Sequence, residues 1–457
     1  MTKVAQKINN SPALSWAVLL LVSVTMMTGY IVAKQMSPLE YFLELPKSSG
    51  GLGWSSSEFG FLAGSRTFFN VFLLMLFVSG IILDRTGVRF SGVLSCILML
   101  GGTSIDYYAI AFMDPSEVVG INLPLIYSGS TIKLQVLVAS LGFATFGVGY
   151  ELCGITVSKV VVKWFSGKEM ALAMGIQVAM ARLGSGLAIS EAPKLAFAHT
   201  LSTPILIGFF CLGLGLILYL VYCSLESKTN SKAYEISSED DKFHISEMKT
   251  TMKNPGFWLI TILCLLYYSA LYPFLDFATK MMIAKYGFEP SNAGRIPSIL
   301  LYTSIVLTPL FGIMYDKMGK GATMMIIGTV LLTLVLVVFA LPFNSSVLAI
   351  VMMFILGIAF SLLPSILWPA VPKIVPMKQL GTAYSIIYYI QSIGLMLMPI
   401  IIGSVLDRNT IGTTVDYTQA MWIFTGIGIA AIIVSVMLLI IDRRKNYGLQ
   451  KANISNK

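Results

Sequence analysis

Apolar residues run along this chain in long stretches, each ended by charge, glycine or proline. A helix needs about 20 apolar residues to cross the hydrocarbon of a bilayer. Twelve stretches answer to that, at 14–36, 58–83, 90–112, 133–162, 169–192, 203–224, 256–284, 294–315, 322–342, 346–372, 379–406 and 417–441. Glycine and proline recur inside them, as membrane helices permit. The pattern predicts an all-α membrane protein of twelve transmembrane helices.

The longest polar stretch, "ESKTNSKAYEISSEDDKFHISEMKTTMKN" at 226–254, mixes both charge signs and falls between the sixth and seventh runs. It reads as a solvated cytoplasmic linker with at most one interfacial helix. On either side it leaves an N-terminal six-helix bundle, 1–225, and a C-terminal six-helix bundle with a cytoplasmic tail, 255–457.

Composition agrees: 56% of the 457 residues are hydrophobic and 12% are charged, against about 25% charged in a soluble domain. The first run is long, lacks a small-residue cleavage site and leads into further spans, so it is expected to stay as a helix. Cys96, Cys153, Cys211, Cys223 and Cys264 lie in apolar runs without metal-ligand spacing and read as small core residues. Lys and Arg set orientation, because cytoplasmic loops carry their excess. With both termini inside, twenty fall on the inner side and five on the outer, Lys47, Lys133, Lys194, Lys285 and Arg408. The net charge of +9 then expresses topology and contact with the lipid bilayer, and no nucleic acid is called for.

The two halves echo one another. "SGIILDRTGVR" at 79–89 and "FGIMYDKMGK" at 311–320 share the form G-x-x-x-D-[RK]-x-G, with Gly80, Asp84, Arg85, Gly87 and Arg89 in one and Gly312, Asp316 and Lys317 in the other. A second echo relates "FGVGYELCG" (146–154) to "LGIAFSLLP" (356–364), and "KEMALAMG" (168–175) to "KQLGTAYS" (378–385). Two six-span repeats with matching motifs describe a secondary transporter. The first motif resembles the signature loop of the major facilitator superfamily. Gly80 and Gly87 would allow close helix approach and a tight turn, and Asp84 would sit at the amino-terminal end of a neighbouring helix, latching the inner face in one state.

A narrower likeness covers most of the chain. "FWLITILCLLYYSALYPF" (257–274), "WFSGKEMALAMGIQVAMARLGS" (164–185) and "LWPAVPKIVPMKQLGTAYSIIYYIQSIGL" (367–395) resemble stretches of the lysosomal dipeptide uniporter branch of that superfamily. The resemblance implies alternating access, uniport of dipeptides without a cofactor, and a glutamate on the fourth helix with an arginine on the fifth holding the ends of a zwitterion. Those roles would fall on Glu151 and Arg182. The residues alone lead to the same pair, as charges nearest the middle of antiparallel neighbouring spans. A carboxylate binds an ammonium, and a guanidinium fork binds a carboxylate bidentately. The plainer alternative is that Glu151 and Arg182 pair with each other, as membrane charges usually do.

On the seventh span Tyr268, Tyr272, Asp276 and Lys280 recur every fourth residue and so share a helical face beside Pro273. The tyrosines read as cavity lining, while Asp276 and Lys280 either face the cavity or neutralise each other. Trp368, Tyr384 and Gln391 stand in the family-like motifs as further lining, against the alternative of ordinary packing. Lys34, Arg66, Asp106, Glu191 and Arg295 have no assignable partner in the sequence, and Lys159, two turns from Glu151 on nearly the same face, is a candidate inner gate. His199 and His244 both lie outside the spans, so no histidine proton relay is available.

Neither terminus carries an acidic dileucine signal and the outer loops are short, which places the expected location in the cytoplasmic membrane of a bacterium, as a monomer without a glycoprotein partner. Two rival functions remain, a proton-coupled organic-anion (carboxylate) transporter of the same fold and a non-transporting membrane receptor. An enzyme is not expected: no nucleophile and base arrangement, His or Cys cluster, or phosphate-binding glycine loop occurs.

Overall fold

The computed structural model describes residues 12–121, 127, 131–165, 169–229, 252–376, 379–412 and 414–452. Helix α1 (Pro12–Gln35) continues through a 3-10 turn (Ser37–Leu39) into α2 (Glu40–Glu44). The second pass comes in pieces, α3 (Ser56–Ser65), α4 (Phe68–Phe72) and the start of α5 (Met75–Phe112). The N-terminal half ends with α6 (Leu134–Phe165), α7 (Met170–Ala198) and α8 (Thr203–Thr229). The C-terminal half holds α9 (Pro255–Tyr286), α10 (Arg295–Met318), α11 (Gly321–Ala340), α12 (Ser346–Leu362), α13 (Pro364–Ile374), α14 (Leu380–Arg408) and α15 (Thr418–Lys445). Two short antiparallel ribbons, β1 (Val118–Gly120) with β2 (Thr131–Lys133) and β3 (Thr410–Ile411) with β4 (Thr414–Val415), close loops at the same end of the molecule.

Eleven helices among the described residues are long and apolar enough to cross a membrane, with α1–α2 and α12–α13 each taken as one. The twelfth pass is the second, which the sequence reads as one run. It breaks at Arg66–Thr67 and again at Leu74, whose φ is +52°. At Gly87 (φ +76°, ψ 171°) the helical trace of α5 breaks, separating 75–86 from the third pass at 88–112. Its partner in the second half, Gly319 (φ +66°), ends α10. Glycine enters this region of backbone space without the Cβ clash that other residues meet, so the motif repeat is a repeat of backbone geometry. The close approach expected at Gly80 is absent here, because a Cβ built at Gly80 or at Gly312 meets nothing within 4 Å.

The expected linker yields one correction. Helix α8 runs on to Thr229, so its first residues are helical. Glu226, placed in the linker by its charge, is 7% exposed, pairs with Lys163 and accepts the Trp164 indole N–H at 3.0 Å. A carboxylate with a cation and a donor supplied is buried where a bare one is not. Residues 230–251, Lys168 and Lys378 lie outside the described residues.

The two bundles meet along two seams, α3 against α14 and α7 against α10. Small residues make both possible: a Cβ on Gly60 would lie 2.3 Å from the Pro399 carbonyl oxygen, and one on Gly294 2.0 Å from that of Ile189. Between the seams, α9 packs on the 3-10 turn and on α2, shutting the end of the molecule that carries residues 37–58, 276–280 and 407. The other end, towards the chain termini, is open along the inner faces. Gly154 and Gly175 lie three and seven residues from Glu151 and Arg182, hence on the same helical faces, and a Cβ on either meets nothing within 4 Å.

Candidate functional site

Between the bundles, five charged side chains converge on one tyrosine. Tyr272 lies within electrostatic reach of Arg182, Arg66, Glu151 and Asp276, and the Lys34 ammonium stands 5.1 Å over its ring. Each charge is held by a different element, so the cluster exists only when α1, α3, α6, α7 and α9 have assembled.

Helix α6 delivers Glu151 beside a column of rings, Phe143 on Phe146 at 5.7 Å and Phe146 on Tyr150 at 5.9 Å. Tyr30 of α1 meets Tyr150 edge to face at 4.9 Å. Where α3 stops, the Arg66 carbonyl packs directly on Gly147, at which a Cβ would sit 1.8 Å from that oxygen. Arg66 is thereby fixed against α6, its guanidinium carbon 5.5 Å from the Tyr150 ring centre. Arg66 is also the charged group whose field acts on Glu151.

Arg182 is engaged elsewhere. Its Nη1 donates to the Ser304 carbonyl at 2.9 Å and to the Thr308 hydroxyl, both across the seam on α10, and its guanidinium stacks 4.9 Å from Phe360. Glu151 and Arg182 therefore do not form the internal bridge that was the plainer alternative; no ion pair joins them among the described residues. Both hydrogen bonds use Nη1, and a guanidinium has five donors, so among the described residues Nη2 and Nε carry no hydrogen bond and can serve a ligand.

The C-terminal wall is aromatic. Tyr268 and Tyr272 stack at 5.6 Å, Trp368 donates its indole N–H to the Tyr268 oxygen at 3.3 Å, and Tyr384 donates to the Trp368 carbonyl at 3.2 Å. Tyr388, which sequence reasoning did not single out, stacks on Trp368 at 4.8 Å. Gln391 is 9% exposed and accepts from the Cys264 thiol at 3.3 Å, so it stitches α14 to α9 instead of lining the cavity.

Asp276 and Lys280 do not neutralise each other. Asp276 accepts from Lys34 and from the Ser37 hydroxyl, both at 2.6 Å. Lys280 reaches Glu40 at 3.3 Å, Glu44, and the Ser56 hydroxyl at 2.8 Å. Asp407 of α14 takes the backbone N–H groups of Ser56 and Ser57 at 2.8 and 2.9 Å, capping α3 from the opposite bundle. These three contacts lock the closed end. Glu40 and Glu44 were passed over in the sequence, although two acids four apart at the end of an apolar run are themselves a signal.

The remaining charges are local. Lys159 pairs with Asp84 at 2.7 Å within one bundle, both half-exposed, so Asp84 faces a cation and not the helix end expected of it. Glu191 pairs with Lys194 at 2.8 Å. Asp106 is buried against Gly142 with one oxygen unpartnered. Arg85, Arg89, Asp316 and Lys317 flank the two turn glycines at the terminal-bearing end. No group of three or more His, Cys, Asp or Glu that might hold a metal occurs among the described residues.

The family model of the Major Facilitator Superfamily matches residues 13–399 and 276–455. This chain belongs to that superfamily. It is thus a multi-pass membrane transporter, and the paired bundles, the twin glycine turns and the central charged cavity are the superfamily's architecture in this sequence. A curated relative is the lysosomal dipeptide transporter MFSD1 of Danio rerio, 28% identical over 387 residues, which are 82% of this chain and 77% of that one. The Homo sapiens protein of the same description is 31% identical over 283 residues, 59% of each chain. Among solved structures, a POT family transporter in complex with a thioalcohol-conjugated peptide superposes with a TM-score of 0.69 at 15% identity, covering 93% of this chain and 96% of the other. The nucleoside transporter NupG gives 0.67 at 14%, covering 93% and 98%. These structures share the superfamily fold with this chain.

Proposed function

We propose that this chain carries dipeptides across a membrane by alternating access, with Glu151 taking the substrate ammonium and Arg182 its carboxylate. One observation carries the reading: the opposite charges of Glu151 and Arg182 both stand within reach of Tyr272 between the bundles, unpaired with each other among the described residues, and the Arg182 hydrogen bonds use only Nη1. A zwitterion supplies both missing partners. The curated relatives described as dipeptide transporters support the substrate class. Tyr268, Tyr272, Trp368 and Tyr384 form a wall whose apolar faces tolerate varied side chains. The Asp84 and Asp316 turns, with Gly80, Arg85, Gly87, Arg89, Gly312 and Lys317, act as the gate of the open end. The two bundles, the first ending with α8 and the second beginning with α9, rock about the site, joined by the polar segment between them.

The driving force is the substrate gradient, as in a uniporter. The excess of Lys and Arg beside the open end supports cytoplasmic termini and a bacterial cytoplasmic membrane, with the chain working as a monomer. The closed lock of Lys34, Lys280 and Asp407 is then the outer gate, and this is the inward-open state.

Thermal stability of the purified protein tests the substrate class, since a ligand that binds only the folded state raises it by mass action. Free dipeptides are expected to raise Tm, and the same dipeptides capped at either end are expected to fail. If capped dipeptides work equally, or only simple carboxylates bind, the reading is wrong and organic-anion transport replaces it.

A further inference from the structure

Counting charge around Tyr272 leaves one cation over. Lys34 and Asp276 neutralise each other at 2.6 Å. Glu151 balances one arginine, and two arginines, Arg66 and Arg182, act on the same tyrosine. The arginines differ in how they are held. Arg182 is tied to α10 by two hydrogen bonds, whereas the Arg66 guanidinium has no hydrogen-bond acceptor among the described residues, only the Tyr150 ring at 5.5 Å and the field of Glu151. Arg66 also lines a small cavity, about the size of one water, with Ser37, Phe59, Ala63 and Asp276.

An isolated cation at membrane depth is strongly disfavoured unless it finds a partner. Substrate binding sharpens this. Once a dipeptide ammonium sits on Glu151, that carboxylate no longer compensates Arg66. A neutral dipeptide then leaves Arg66 uncompensated, whereas one with a carboxylate in its side chain restores neutrality and fills a guanidinium fork.

We propose that Arg66 is a specificity-determining ligand for a side-chain carboxylate, so that this carrier prefers dipeptides containing Asp or Glu over their amides. The inference rests on the dipeptide reading and adds a third charged contact to it. The preference lives at the end of α3, where the helix stops and the Arg66 carbonyl seats on Gly147.

The test is a thermal-shift titration with Ala-Glu, Ala-Gln, Ala-Lys and Ala-Ala on the wild type, Arg66→Lys and Arg66→Gln. Ala-Glu and Ala-Gln differ only in charge, so their ratio isolates the effect. The wild type is expected to half-saturate at about tenfold lower Ala-Glu than Ala-Gln, the scale of one charge-assisted contact, with Ala-Lys weakest. Arg66→Lys should keep the direction of the preference, and Arg66→Gln should bring the ratio near one. Equal or tighter binding of Ala-Gln by the wild type, or an undiminished ratio in Arg66→Gln, overturns the inference while leaving dipeptide transport standing. If neither Ala-Ala nor Ala-Gln nor Ala-Glu shifts Tm in the wild type, the dipeptide reading falls and takes this inference with it. Should Arg66→Gln fail to fold, the wild-type ratio alone decides, since it needs no variant.

Discussion

Replacing Lys280 by Met should spring the closed face open. The Lys280 side chain is 5% exposed and its ammonium serves Glu40, whose side chain is 0% exposed, together with Glu44 and Ser56. Removing one partner of a buried pair costs about 3–5 kcal/mol, because the other charge is left uncompensated. Here two carboxylates lose the one cation that pairs with them among the described residues, and one Glu40 oxygen already lacks a partner there. In a conformation with this face open, water solvates both acids, so the penalty falls on the closed state alone. A shift of about 3 kcal/mol changes the ratio of the two states by roughly 150-fold.

The assay is labelling by a membrane-impermeant maleimide in proteoliposomes. All five native cysteines are replaced, and one cysteine is introduced at Ala63, which lines the small cavity behind the lock. Labelling from the closed face should accelerate by about two orders of magnitude in Lys280→Met if opening limits it. Adding Glu40→Gln and Glu44→Gln should reverse most of the gain, since the buried charge is gone. A Lys280→Met rate within about threefold of the background would refute the reasoning: it would mean that the acids bury without their cation and that the lysine does not hold the gate.

The remaining expectations concern neighbouring contacts. Asp407→Ala removes the acceptor of two backbone N–H groups at the start of α3, and should weaken the closed face by about 1–2 kcal/mol, read as faster labelling at position 63 and a lower Tm. Gly147→Ala places a methyl group 1.8 Å from the Arg66 carbonyl oxygen, so α6 and α3 must separate at a cost of about 3 kcal/mol, seen as a fall in the monodisperse fraction and in Tm; an unchanged Tm would show that the contact yields freely. Asp84→Asn breaks a half-exposed pair and should change stability by less than about 1 kcal/mol while slowing dipeptide exchange severalfold, so a transport rate equal to wild type would remove Asp84 from the gate. Glu151→Gln should abolish the dipeptide-induced rise in Tm, and a retained rise would move the ammonium site elsewhere.

The sequence by itself determined the membrane class, the helical passes, the division into two bundles and the paired turn motifs. Each is encoded locally, in runs of apolar residues long enough for hydrocarbon and in glycines whose positive φ no other residue adopts as easily. It also marked Glu151 and Arg182, because a charge amid apolar neighbours stands out whatever the fold. Partner choice was settled by tertiary structure. Asp276 and Lys280 share a helical face, yet each bonds across to the other bundle, some 240 residues away in sequence. Buried charges go to whichever opposite group the packing brings within reach, and helical spacing reports only neighbours on one helix. For the same reason Gln391 turned inward to Cys264, Glu226 left the linker for the end of the fourth pass, and Arg66 came to rest over the Tyr150 ring. Those placements depend on where α3 breaks and on how closely Gly147 lets α6 approach it, contacts between elements that no single stretch of sequence contains.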